Sequence, residues 1–129
     1  DSRLAGFLPY PREKFVYDEV AMQRLADTVD WANANNIALV ASFPAFLDFD
    51  VYRNDDIYME FFESLSGFWT EASVPLLGTP YLFMYGNEDM YDTHYHNNVQ
   101  GMTKRTARII SGLEELFANG RLDDPRRLH

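Results

Sequence analysis

The chain has 129 residues, 47% of them hydrophobic and 16% aromatic, and a formal net charge of -9 at pH 7. That length suits one domain, and that apolar content supports a packed core and argues against disorder. The acidic balance would repel a phosphate backbone. Its basic residues are scattered, apart from Lys104, Arg105 and Arg108 and the pair Arg126 and Arg127, so nucleic acid is excluded as a partner.

The absence of cysteine excludes disulfides, thiolate metal sites and a cysteine nucleophile, and leaves localisation open. The longest apolar run, Ile37 to Ser42 with Phe43 after it, falls far short of the roughly 20 residues of a membrane span. No basic-then-apolar signal pattern opens the chain. The expectation is a soluble segment without membrane contact.

In chain order, residues 1–17 hold two prolines, a glycine and no sustained period, and read as an irregular lead-in. Asp18 and Glu19 then place negative charge at a helix start, and Met22, Leu25, Val29 and Ala32 recur at helical spacing until "NANN" at 33–36. "IALVASF", ended by Pro44, predicts a strand buried on both faces. "AFLDFDVYRNDD" is aromatic, acidic and aperiodic, and would leave the carboxyl end of that strand, where open α/β sheets place ligands; Arg53 in it could face an acyl or sugar substrate.

Tyr58, Phe61, Leu65, Phe68 and Trp69 form a second helical stripe, with Gly67 marking either a weak point or a close packing contact. "VPLL" at 74–77 predicts the next strand, and "GTPYLFMYGNEDMYDTHYHNN" a long functional loop. Asn97 or Asn98 can cap a last helix with apolar positions Met102, Ile109, Ile110, Leu113, Leu116 and Phe117, closed by Gly120. Residues 121–129 read as a flexible tail.

This alternation predicts an α/β fold, a three-layer flavodoxin-like arrangement to which the chain contributes two or so parallel strands and three helices. That is about half of a doubly wound sheet. Residues 1–129 are accordingly either a single domain or a C-terminal half-domain.

The chemistry concentrates in "YDTHYHNNVQG", residues 91–101. A histidine beside a carboxylate can take a proton from a hydroxyl at neutral pH, because the carboxylate fixes the tautomer and stabilises the imidazolium. Asp92 with His96, or Asp92 with His94, could supply that pair. A nucleophile is not evident, since no GxSxG occurs. An extended backbone would point His94 and His96 to the same side.

"HNNVQG" resembles the last conserved block of the SGNH (GDSL-like) hydrolase and acyltransferase superfamily, in which histidine is followed two residues later by asparagine and five later by glycine, opening the final helix. His96, Asn98 and Gly101 match that spacing. The family's aspartate usually stands three residues before the histidine, whereas Asp92 stands four before His96. "DTHY" also resembles the Asp-x-His-Trp motif of alginate O-acetyltransferase-like members, which would make His94 the base.

The resemblance implies the C-terminal portion of a bacterial serine esterase or O-acyltransferase, with His96 as general base and Asp92 orienting it. His94 and Asn98 would be supporting or substrate-facing. The family's nucleophile and oxyanion blocks are not intact; "DSRLAG" fits only the tail of a GDSxxxG block, making Ser2 a candidate nucleophile. Such a portion would be inactive alone and would self-associate or bind its missing N-terminal half. It would need no cofactor, would act on an ester or acyl donor and a small-molecule or glycan acceptor, and could belong to an exported or membrane-anchored parent.

Three other readings remain. Asp92, His94 and His96 could hold zinc or manganese with Asp89 or Glu88, although adjacent ligands alone rarely complete a geometry. Asn97 and Asn98 could simply cap the helix. The whole could be a non-catalytic binding or structural module that uses the DTHYH loop.

Overall fold

The computed structural model describes residues 18–122, a small mixed α/β domain with two short parallel strand pairs. The expected lead-in with Ser2, and the tail from 123 onward, lie outside the described residues. No helix among the described residues is long and apolar enough to cross a membrane.

Helix α1, Glu19–Ala34, starts where Asp18 accepts the Ala21 N–H at 3.0 Å. It ends as the Asn36 N–H bonds the Asn33 carbonyl and the Ile37 N–H the Ala32 carbonyl, with Asn36 in the left-handed region at φ 56°. This Schellman closure suits asparagine, whose short polar side chain tolerates that conformation. The expected face is turned inward, Val29 and Ala32 buried and Met22 and Leu25 half-buried.

The predicted strand 37–43 is shorter and split. Strand β1, Ala41–Ser42, pairs in parallel with β3, Leu76–Leu77, and β2, Phe46–Leu47, pairs in parallel with β4, Met84–Tyr85. These are successive stretches of the same two neighbouring segments, interrupted at Pro44, which has no N–H to give a ladder. The partner offset grows from 35 residues (Ala41 to Leu76) to 38 (Phe46 to Met84), because the second segment loops out through a 3-10 turn at Pro80–Phe83. Both β2 and β4 lie in stretches that read as aperiodic loop.

Helix α2, Val51–Asn54, and helix α3, Asp56–Glu71, connect the strands. Asp55 starts α3 by accepting the Ile57 N–H, and Ser73, at φ 57°, closes it as Val74 N–H reaches the Trp69 carbonyl. Tyr58 and Phe62 are the fully buried positions of α3, while Phe61, Phe68 and Trp69 are half-buried. The i, i+4 pair thus sets the inward face. A Cβ at Gly67 would meet nothing within 4 Å, so this glycine makes no close packing contact.

The core gathers Phe43, Ala45, Leu47, Tyr52, Tyr58, Phe62, Phe83, Met84, Tyr85 and Met90. Edge-to-face aromatic pairs run through it, Phe43 to Phe62 at 5.9 Å and Tyr52 to Tyr58 at 4.9 Å, each worth about 0.5–1.5 kcal/mol beyond area burial.

Helix α4, Val99–Ala118, packs through the face its apolar pattern marks, with Leu116 buried and Ile109, Leu113 and Phe117 half-buried. Gly101 and Leu116 are buried, whereas Met102 and Ile110 are exposed. Arg105 donates to the Phe43 carbonyl at 3.2 Å over the Phe83 ring, and Arg108 donates to the Leu82 carbonyl over the Tyr85 ring. These guanidinium contacts to aromatic rings add to the aliphatic packing of Ile109 and Leu116. Gly120, at φ 65°, closes α4 as its C′ residue.

Candidate functional site

The stretch 91–101 is a tight excursion with a closed neck. At the neck Met90 and Asn97 form an antiparallel bridge, Tyr91 N–H donates to the His96 carbonyl at 2.8 Å, and Asn98 N–H donates to the Asp89 carbonyl at 2.9 Å. On the far side the His94 carbonyl accepts the Leu47 N–H at 2.8 Å, which fastens the loop to the carboxyl end of β2. The loop therefore occupies the place at which open α/β sheets carry ligands.

Asn98, at the N-cap of α4, accepts the Gly101 N–H at 3.0 Å and donates through Nδ2 to the carbonyls of Glu88 (2.6 Å) and Met90 (3.2 Å). Its amide is spent on the fold, with both donors and the acceptor engaged. Gly101 is demanded by the same junction, because a Cβ there would overlap the Asp89 carbonyl oxygen. Two of the three motif positions are thus accounted for by local packing.

The third, His96, faces solvent. Its Nδ1 lies 2.9 Å from Asp92 Oδ1, with the two side chains 65% and 55% exposed. With Nδ1–H donating to the Asp92 carboxylate, Nε2 keeps the lone pair required of a general base. The pairing holds across four residues because 92–95 is a turn, not an extended stretch. Thr93 Oγ1 accepts the N–H groups of Tyr95 at 3.2 Å and His96 at 3.1 Å, closing that turn.

The turn also overturns the expectation that His94 and His96 share a side. The His94 ring packs on Tyr95 with centroids 3.9 Å apart, and both its nitrogens are shielded from solvent. Desolvation by burial lowers its pKa from the usual 6.5, favouring the neutral ring.

Arg53 is committed elsewhere, its guanidinium contacting both oxygens of Asp48 at 2.8 and 2.7 Å and lying over the Tyr81 ring. Asp89 is buried, and its carboxylate is bound at 2.7 Å on each oxygen by Lys104 from α4. Sequence reasoning did not single out this pair, which joins residues 15 apart with no local signature. Thr93 stands directly after an aspartate in a polar loop, which is a turn signal.

Among the described residues, no group of three or more His, Cys, Asp or Glu side chains is placed to hold a metal ion. Among the described residues, the surface grooves include two that are apolar. One, of about 340 Å³, runs between Leu77, Leu82 and Phe83 and the α4 residues Arg108 and Gly112; the other, of about 330 Å³, lies between Phe62, Glu63, Pro80 and Tyr81. Neither is lined by Asp92 or His96. No model of a known protein family matches this chain, and no curated protein is significantly similar to it.

Proposed function

We propose that the chain contributes the Asp/His part of an SGNH-like serine esterase or O-acyltransferase centre. Asp92 orients His96, and His96 Nε2 takes the proton of a serine hydroxyl supplied from outside residues 18–122. The single observation that carries this is the 2.9 Å Asp92 to His96 Nδ1 contact on an exposed loop at the carboxyl end of the strands. The parallel pairing across α3, followed by a capped helix directly after the histidine, supports the three-layer flavodoxin-like arrangement for the parent fold.

His96 is preferred to His94 as the base because its side chain is largely exposed while both His94 nitrogens are shielded. On this reading the chain associates with the segment that carries the nucleophile, or with itself. The substrate is an ester or acyl donor with a small-molecule or glycan acceptor. The test is hydrolysis of short-chain p-nitrophenyl esters by this chain and by the product of its complete open reading frame. Activity confined to the complete product and abolished by His96→Ala is expected; activity that survives His96→Ala overturns the assignment.

A second reading, a binding module that does no chemistry, is favoured by the exposure of Tyr91 and Tyr95 on the same loop as the dyad, at 58% and 39%. Amphipathic rings on an exposed loop suit recognition. An upstream Gly-Asp-Ser turn in the reading frame favours the enzyme, and its absence favours the module.

A further inference from the structure

We infer that Thr93 is the positioning residue of the Asp92–His96 pair, an inference that rests on the general-base reading of His96. An exposed ion pair of this kind is weak in itself, since water and salt screen it and two side chains must be ordered to make it. The backbone must therefore bring the partners together. Residues four apart meet here because the chain between them turns back on itself, and a tight turn leaves amide groups that need a partner.

Thr93 Oγ1 supplies that partner twice, to Tyr95 N–H at 3.2 Å and His96 N–H at 3.1 Å, as an N-cap does for a helix. The hydroxyl touches neither the imidazole nor the Asp92 carboxylate, so it acts only through the turn. The neck bonds from Tyr91 to His96 and from Asn98 to Asp89 hold the ends of the loop, the Leu47 to His94 bond fastens its far side, and Thr93 Oγ1 ties the start of the turn to the amides at 95 and 96. Thr93 thereby sets which nitrogen of His96 carries the proton, and the spacing of four between aspartate and histidine becomes workable.

The experiment reads the tautomer of His96 from its ring ¹⁵N shifts in this chain, at a pH where the ring is neutral, with assignment by His96→Gln. The wild type is expected to show mainly the Nδ1–H form. Thr93→Val should swing the population toward Nε2–H, and Thr93→Ser should restore it. Asp92→Asn should abolish the preference with the hydroxyl intact. Unchanged shifts in Thr93→Val overturn the inference.

Should Thr93→Val fail to fold, hydrogen exchange in the wild type decides instead. Protected Tyr95 and His96 amides support the turn, and unprotected ones overturn it. Loss of esterase activity bears on the proposed function, whereas the tautomer bears on Thr93 alone, so the two failures are told apart.

Discussion

The α-carbon of Gly101, in the first turn of α4, stands directly against the carbonyl oxygen of Asp89. That approach locks the neck of the histidine loop to the helix, and Asn98 completes the junction with three hydrogen bonds from one side chain. The loop that carries Asp92 and His96 is therefore placed by residues that do no chemistry.

Gly101→Ala should destabilise the domain by about 1–3 kcal/mol, because the added methyl meets backbone that cannot yield. Gly67→Ala in α3 should stabilise it by about 0.5–1 kcal/mol, since its site is open and alanine is the better helix former. Urea midpoints of the two variants should move in opposite directions.

Removing the cap by Asn98→Ala should cost about 1–2 kcal/mol. Asn98→Asp keeps the acceptor for Gly101 N–H and loses the donors to Glu88 and Met90, so its midpoint should fall between wild type and alanine. Equal losses in the two variants would mean that the fork to the loop matters and the cap does not.

Lys104→Met leaves the buried Asp89 carboxylate unpaired and should cost about 3 kcal/mol, the low end for such a loss because Lys104 itself is partly exposed. Adding Asp89→Asn should recover part of that cost. A double variant no more stable than Lys104→Met would show that the two groups are not coupled.

The lowered pKa of His94 gives stability a pH dependence of definite sign. Below the usual 6.5 the unfolded chain takes up a proton that the folded chain refuses, so stability falls as pH drops through that value and levels off below the folded pKa. Above 6.5 the residue contributes no slope. His94→Phe, which keeps a ring against Tyr95, should flatten this part of the profile of urea midpoints measured from pH 5 to 8.

Helix boundaries are written in the sequence because they depend on neighbours only. Asp18, Asn98, the asparagines at 35 and 36 and Gly120 satisfy end groups within a few residues of themselves, and each stands where the pattern places it. The candidate pair Asp92 and His96 was legible from the spacing of His96, Asn98 and Gly101 beside a nearby carboxylate, whereas the turn that joins the two reads as extended chain. Strand limits were not legible, since β2 and β4 exist only because Phe46 and Leu47 find Met84 and Tyr85 across 38 residues.

Tertiary contacts likewise widened the inward face of α4 beyond the apolar stripe of Ile109, Leu113, Leu116 and Phe117. Arg105 and Arg108 reach carbonyls and aromatic rings of the strands, while Met102 and Ile110 stay in water. The turn capped by Thr93 and the packing of His94 on Tyr95 separated two histidines that alternation alone would set side by side. Local hydrogen-bond chemistry determined where the elements of this protein begin and end, and long-range pairing and burial decided which of their side chains face water.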